Sequence, residues 1–126
     1  MTSNLEWLQQ FYLSFCNGDW EHGFAGCTIE NVDNPGWSFK FELAETVYED
    51  VPGPEVRVGE DLTGDGPDWI LLKKDGSKIE GACGPLKLDQ LIGEFRSWVE
   101  KVEPMAAHIE KQWHAEPIKQ VDNDPY

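Results

Sequence analysis

Residues 37–43, WSFKFEL, alternate strictly between apolar and polar side chains. Successive side chains of an extended chain point to opposite faces, so Trp37, Phe39, Phe41 and Leu43 share one face. The polar residues between them take the other face. This period of two predicts a β-strand with one buried and one solvated face.

Segments on both sides of this strand predict a sheet. Five further segments have a strand-like composition between turn residues: 23–32, 46–50, 56–58, 69–72 and 78–80. The turn Asp33-Asn34-Pro35-Gly36 closes the first of them, and 46–50 is predicted to return as a hairpin partner of 37–43. A turn around Asp75-Gly76 joins the last two strands as a second hairpin.

Two helical stripes flank these strands. Ser3 and Glu6 form a capping box ahead of a stripe that predicts a helix over residues 4–16. A second stripe begins at Leu88 and predicts a helix that Pro104 ends. The result is an α+β domain at 1–103: an N-terminal helix, a four- to five-stranded mainly antiparallel sheet, and a C-terminal helix packed on one sheet face. Residues 104–126 are predicted to be a C-terminal extension, a short helix and a loose acidic tail.

Composition narrows the class of partner. The 126 residues contain 24 Asp and Glu against 10 Lys and Arg, a net charge of −14. Such a chain is repelled by phosphate backbones and anionic lipid, so we expect no binding to nucleic acid or membrane. It can instead bind a basic protein. The acids are concentrated in residues 1–72, which carry 14 of them against two bases.

The cysteines and the N-terminus indicate a compartment. Cys16, Cys27 and Cys83 lie far apart without metal-ligand spacing, which is typical of reduced thiols. Residues 1–15 lack the basic segment of a secretory signal. We therefore expect a cytoplasmic protein.

Two clusters of polar residues are candidate binding sites. Asp19, Trp20, Glu21 and His22 could bind a ligand or perform acid–base chemistry. The alternative is that Trp20 anchors the core and its neighbours bind loop amides. Asp33 and Asn34 offer exposed polar contacts, although their residue types also suit a tight turn.

Two other segments suggest different chemistry. Asp61, Thr63, Asp65 and Gly66 match the start of a calcium loop, and Asp68 could be a fourth ligand. The bidentate Glu of such loops is missing, and an acidic turn without metal is the alternative. Cys83 follows a strand and precedes a helix, where a thiolate could be stabilised. A small buried cysteine is the alternative there.

Residues 5 to about 100 resemble the immunity protein 53 family. The resemblance rests on Leu5-Glu6-Trp7-Leu8, on GDWEH at 18–22 and on DNPGW at 33–37, followed by Asp68-Trp69, the turn at 81–85 and Phe95-Arg96-Ser97-Trp98. It implies a bacterial immunity protein that binds and neutralises a cognate toxin of a polymorphic toxin system. It implies no cofactor and no catalysis.

The charge distribution suggests how such a protein would bind its partner. A basic toxin such as a nuclease would be attracted by an acidic face with aromatic anchors. We expect that face to combine residues 19–22, Asp33 and Asn34 with acids of the 42–68 region: Glu49, Asp50, Asp61, Asp65 and Asp68. The alternatives left open are a thiol enzyme (sulfurtransferase-like) using Cys83 and a small-molecule or calcium-binding module.

Overall fold

Three helices and five strands make up the described part of the chain. The computed structural model describes residues 2–24, 26–33, 35–59 and 68–123, with side chains up to residue 113. The helices are α1 (Asn4–Phe15), α2 (Trp20–Gly23) and α3 (Leu88–Asn123). The strands are β1 (Cys27–Val32), β2 (Gly36–Glu42), β3 (Glu55–Val58), β4 (Ile70–Asp75) and β5 (Lys78–Cys83).

The strands form one antiparallel sheet in the order β1-β2-β5-β4-β3. β2 is the predicted alternating strand, and it pairs with β1 on one side and β5 on the other. Its Phe39 and Phe41 are fully buried, whereas Lys40 between them is exposed. The predicted α+β class, with α3 packed against one sheet face, is confirmed.

Aromatic rings fill the space between the sheet and the helices. Phe95 of α3 is fully buried, and its ring centroid lies 5.2 Å from that of Phe39 and 5.3 Å from that of Phe41. Phe11 of α1 lies 5.3 Å from Phe41 and 5.7 Å from Phe95. Ring pairs at these distances stabilise the fold beyond the area that they bury, by about 0.5–1.5 kcal/mol each.

Residues 46–50 are not a strand, so that prediction is wrong. β1 and β5 already occupy both edges of β2, which leaves no edge for a third partner. The segment 43–51 is instead a loop of successive turns around the buried Thr46. The Thr46 hydroxyl donates to the Leu43 carbonyl (2.8 Å) and accepts from the Tyr48 N–H (3.1 Å).

Two long side chains hold the 43–51 loop against the rest of the domain. The Lys74 ammonium of β4 donates to the carbonyl oxygens of Glu49 and Val51. The Trp98 indole N–H of α3 donates to the carbonyl of Pro52 at 2.9 Å. Sheet and helix therefore fix the loop from both sides.

α3 continues through Pro104, so the predicted helix end there is wrong, and helix covers most of the predicted tail. A proline removes one amide donor and crowds the carbonyl four residues earlier. Here Pro104 is exposed. The carbonyl that lacks an amide donor because of Pro104 belongs to Glu100, which is also exposed. Val102 and Ala106 on either side are buried, at 9% and 2% exposure, and this packing keeps the helix continuous. In the described part of the chain, no helix has the length and apolar character to cross a membrane.

The first strand begins later than predicted, at Cys27 rather than residue 23. The residues before it form the short helix α2, in which the Gly23 N–H donates to the Asp19 carbonyl at 2.9 Å. Gly26 then adopts a φ of 75°, a conformation that suits glycine, and leads the chain into β1.

Candidate functional site: an acidic cleft with an aromatic floor

A cleft of about 640 Å³ opens between the end of α1, the 43–51 loop and α3. Phe11, Phe15 and Tyr48 lie in it and pack edge to face, with ring centroids 4.9 to 6.1 Å apart. We define this acidic cleft by its carboxylates and its aromatic floor: Asp19, Glu45, Glu110, Phe11, Phe15 and Tyr48.

The loop after α1 forms the first wall, and side-chain oxygens fix its backbone. Asn17 Oδ1 accepts the N–H groups of Asp19 (2.9 Å) and Trp20 (3.0 Å). The Glu21 carboxylate accepts the N–H groups of Asn17 (2.9 Å) and Gly18 (2.8 Å). Backbone hydrogen bonds, first that of Glu21 with its own N–H, lower the pKa of its carboxyl group. The Glu21 carboxylate therefore stabilises the backbone of this wall through its hydrogen bonds, whereas the Asp19 side chain is exposed.

Trp20 joins the first wall to the second. Its indole N–H donates to the carbonyl of Ala44 at 3.0 Å, and its ring lies 5.5 Å from that of Phe15. The side chain is 4% exposed and belongs to the hydrophobic core. Of the two roles that the sequence left open for Trp20, the structure shows the core anchor.

The 43–51 loop forms the second wall and contributes Glu45. This residue has a φ of 63°, which is uncommon for a residue other than glycine. Its N–H donates to Glu49 Oε1 at 3.0 Å, which supports that conformation and leaves the Glu45 side chain exposed. Burial raises the pKa of Tyr48, and the negative charges of Glu103 and Glu110 raise it further. The floor of the cleft therefore faces carboxylates from α3.

α3 forms the third wall with Glu110 and Trp113, which sequence reasoning missed. Both lie beyond Pro104, where the helix was predicted to end. A signal was present in the spacing: Val102, Ala106, Ile109 and Trp113 recur at intervals of four, three and four residues, as one helix face requires.

The charged residues that line the cleft are all acidic, unlike those of a second concave surface of the domain. No Lys, Arg or His lines it among the described residues. The uncovered face of the sheet has a concavity of about 410 Å³, lined by Lys40, Lys73 and Arg57 together with Glu55 and Glu80. There the strand register places opposite charges side by side in the row Lys40–Glu80–Lys73–Glu55. A cation is attracted to the cleft, whereas the sheet face is close to neutral.

The structure brings some predicted site residues to the cleft and leaves others elsewhere. Asp19 lines it, and Glu49 supports Glu45 beside it. His22 and Asp50 are exposed on the adjoining segments, α2 and the 43–51 loop.

Two other predicted residues that the structure describes, Asp33 and Asp68, lie away from the cleft. Asp33 follows β1 and Asp68 precedes β4, at the end of the sheet opposite to the 43–51 loop. Asp68 is exposed and lies 3.8 Å from the Lys87 ammonium. Asn34, Asp61 and Asp65 lie outside the described residues, and so does the rest of the predicted calcium loop.

The structure does not favour nucleophilic chemistry at Cys83. The residue is fully buried, and burial raises the pKa of its thiol to about 11. Reactive cysteines are accessible and have a lowered pKa. Among the described residues, no group of three or more His, Cys, Asp or Glu side chains could hold a metal ion.

Comparison with known proteins supports the resemblance noted in the sequence. A family profile described as Immunity protein 53 matches residues 5–100. Neither the curated proteins nor the solved structures that were searched give a significant match. The matched segment contains two walls of the cleft and ends before the third.

Proposed function

Because this chain belongs to the immunity protein 53 family, we propose that it binds a cognate toxin domain and holds it inactive in a one-to-one complex. The acidic cleft is the proposed contact surface, and a basic toxin is the proposed partner. The observation that carries this proposal is the single sign of charge over an aromatic floor, built from separate parts of the chain.

The two components of the cleft would do different work in the complex. Carboxylates of one sign accelerate encounter with a basic surface and disfavour acidic partners. The rings offer apolar surface to a Lys or Arg side chain of the toxin. The methylene groups of that side chain would pack against the rings, and its cation would interact with a ring face. Charge would therefore set the association rate, and the aromatic contact would set the lifetime of the complex.

A nuclease fits this description of the toxin. An enzyme that acts on nucleic acid needs a basic surface for phosphate groups. A cleft whose charged side chains are all carboxylates would compete with nucleic acid for that basic surface, so the toxin would lose its substrate when the complex forms. No turnover is required, because one bound immunity protein blocks one toxin.

The test uses the toxin domain encoded beside the gene of this chain. Co-expression is expected to restore growth, and native mass spectrometry of the purified mixture is expected to show a one-to-one complex. Neutralisation should saturate at one equivalent and should not improve with incubation time, as it would for an enzyme that modifies the toxin. The absence of a complex would refute the proposal.

Ionic strength tests the electrostatic part separately. The association rate should fall steeply with added salt, because salt screens steering between exposed charges. If the complex forms but its association rate is insensitive to salt, the toxin-binding role stands and the acidic contact surface is wrong.

A further inference from the structure

We propose that Glu110 and Trp113, which lie in the segment 101–113 of α3 beyond the family-matched residues, form part of the toxin contact surface and determine which toxin this protein recognises. This inference rests on the proposed function and adds a specificity element to it. Its first support is that the segment has a fixed position on the domain. Val102 and Ala106 are buried, and Ile109 packs against the core.

The apolar stripe of this segment extends beyond the residues that are buried against the domain. Trp113 continues the stripe of Val102, Ala106 and Ile109, yet its side chain is 41% exposed. Its position is at the acidic cleft. A tryptophan presented in this way supplies a large rigid contact area, and tryptophan is among the residues most enriched at binding hot spots.

Carboxylates accompany this exposed ring. Glu110 lines the cleft with Trp113, and the negative charges of Glu103 and Glu110 both raise the pKa of Tyr48. Carboxylates beside an exposed indole ring attract a cationic side chain, which can lie against the face of the ring. The occupant is therefore a Lys or Arg side chain of a basic toxin. A second copy of this chain, with a net charge of −14, is electrostatically disfavoured at the same place.

The position of the segment in the chain argues for a role in specificity. The family profile covers residues 5–100, a segment that contains Asp19, Glu45 and the aromatic floor but not Glu110 and Trp113. Contacts from the profile-matched segment would provide a general attraction for a basic toxin surface. Contacts from α3 would then separate the cognate toxin from related ones.

The experiment compares Trp113→Ala with Met105→Ala. Met105 is on the same helix and 48% exposed, but it does not line the cleft, so it controls for loss of exposed apolar surface from α3. Affinity is measured by calorimetry for two probes, the toxin domain encoded beside this gene and a toxin domain paired with another immunity protein 53. Trp113→Ala is expected to weaken cognate binding by at least about 10-fold and the second toxin by much less. Met105→Ala should change neither by more than about 2-fold.

Two further variants keep the outcome interpretable. Trp113→Phe should recover part of the cognate affinity, and Glu110→Gln should weaken cognate binding and reduce its salt dependence. Unchanged far-ultraviolet circular dichroism would show that α3 remains folded in each variant. Wild-type affinity in Trp113→Ala would overturn this inference while neutralisation itself persists, whereas failure of the wild-type protein to bind the cognate toxin would refute the proposed function. A wild-type dimer that Trp113→Ala dissociates in sedimentation would also overturn the inference, because the stripe would then be covered by a second copy.

Discussion

The acidic cleft and the uncovered sheet face are both concave, but the fold builds them in different ways. The cleft combines three segments that are far apart in the chain, and its floor is continuous with the aromatic core. The sheet face is a regular surface of neighbouring strands, and its opposite charges lie in register. Net charge is therefore a poor guide to any one surface of this protein.

The density of acids along the chain is an equally poor guide. Residues 42–68 are the most acidic segment, yet its described acids do not share one surface. Glu45 lines the cleft, whereas Glu55 belongs to the balanced row on the sheet. The two surfaces thus differ in charge because of how the fold brings distant residues together.

The largest effect is expected from a truncation in the cleft floor. Phe11 is 9% exposed and contacts the rings of Trp7, Phe15, Phe41, Tyr48 and Phe95. Phe11→Ala should lower the free energy of unfolding by about 3–5 kcal/mol, because it leaves a cavity in the core. Leu71→Ala, on the half-buried floor of the sheet concavity, should lower it by about 1 kcal/mol. Urea unfolding followed by tryptophan fluorescence measures both, and equal losses would show that the cleft floor is not part of the core.

The next effect separates the two surfaces by charge. Asp19→Lys with Glu45→Lys should weaken toxin binding by about 100-fold, because two carboxylates of the cleft become repulsive. Glu55→Lys with Glu80→Lys changes the net charge of the protein by the same amount and should stay within about 3-fold of wild type. Surface plasmon resonance gives the affinities, and thermal unfolding checks that both variants fold. Equal weakening by the two pairs would mean that overall charge matters and the cleft does not.

The sheet could be predicted in part because much of its signal is local. The alternation at 37–43 is a property of consecutive residues, and it correctly gave the buried face of β2. The capping box at Ser3 and Glu6 is equally local and is present in the structure. The failure at 46–50 has a non-local cause, because β5 occupies the edge of β2 through pairs such as Phe41 with Ile79.

The site could be predicted less well because it depends on how distant segments meet. Asp19 and the 42–68 region were proposed from sequence, and the structure places Asp19 beside Glu45. Glu110 and Trp113 were not predicted, because a proline such as Pro104 ordinarily ends a helix. The helical spacing of the apolar residues nevertheless continues beyond it. The packing of Val102 and Ala106 against the domain keeps the helix continuous through Pro104. Such tertiary packing overrides local propensity and cannot be predicted from the presence of a proline.

A smaller effect is expected at Pro104, whose replacement tests the third wall of the cleft. Pro104→Ala should raise the free energy of unfolding by about 1–2 kcal/mol, because alanine restores an amide donor in an exposed position of a helix interior. The sheet face should be unaffected, and toxin affinity should be equal to wild type or higher. Urea unfolding is the measurement, with Met105→Ala as a control that should change stability little. Unchanged or reduced stability would contradict a helix that passes through residue 104.

The smallest effect concerns the hydrogen bonds that hold the first wall. The pKa of Glu21 is lowered by backbone hydrogen bonds, so its ionised form stabilises the folded protein. That contribution is present above the ordinary glutamate pKa, near 4.5, and is lost as the pH falls through the lowered pKa of the folded state. Glu21→Gln should therefore be less stable than wild type at pH 7, and the difference should shrink as the pH is taken below 4.5 toward 3. A stability difference for Glu21→Gln that is the same at pH 7 and pH 3 would show that the carboxylate charge does not hold this wall.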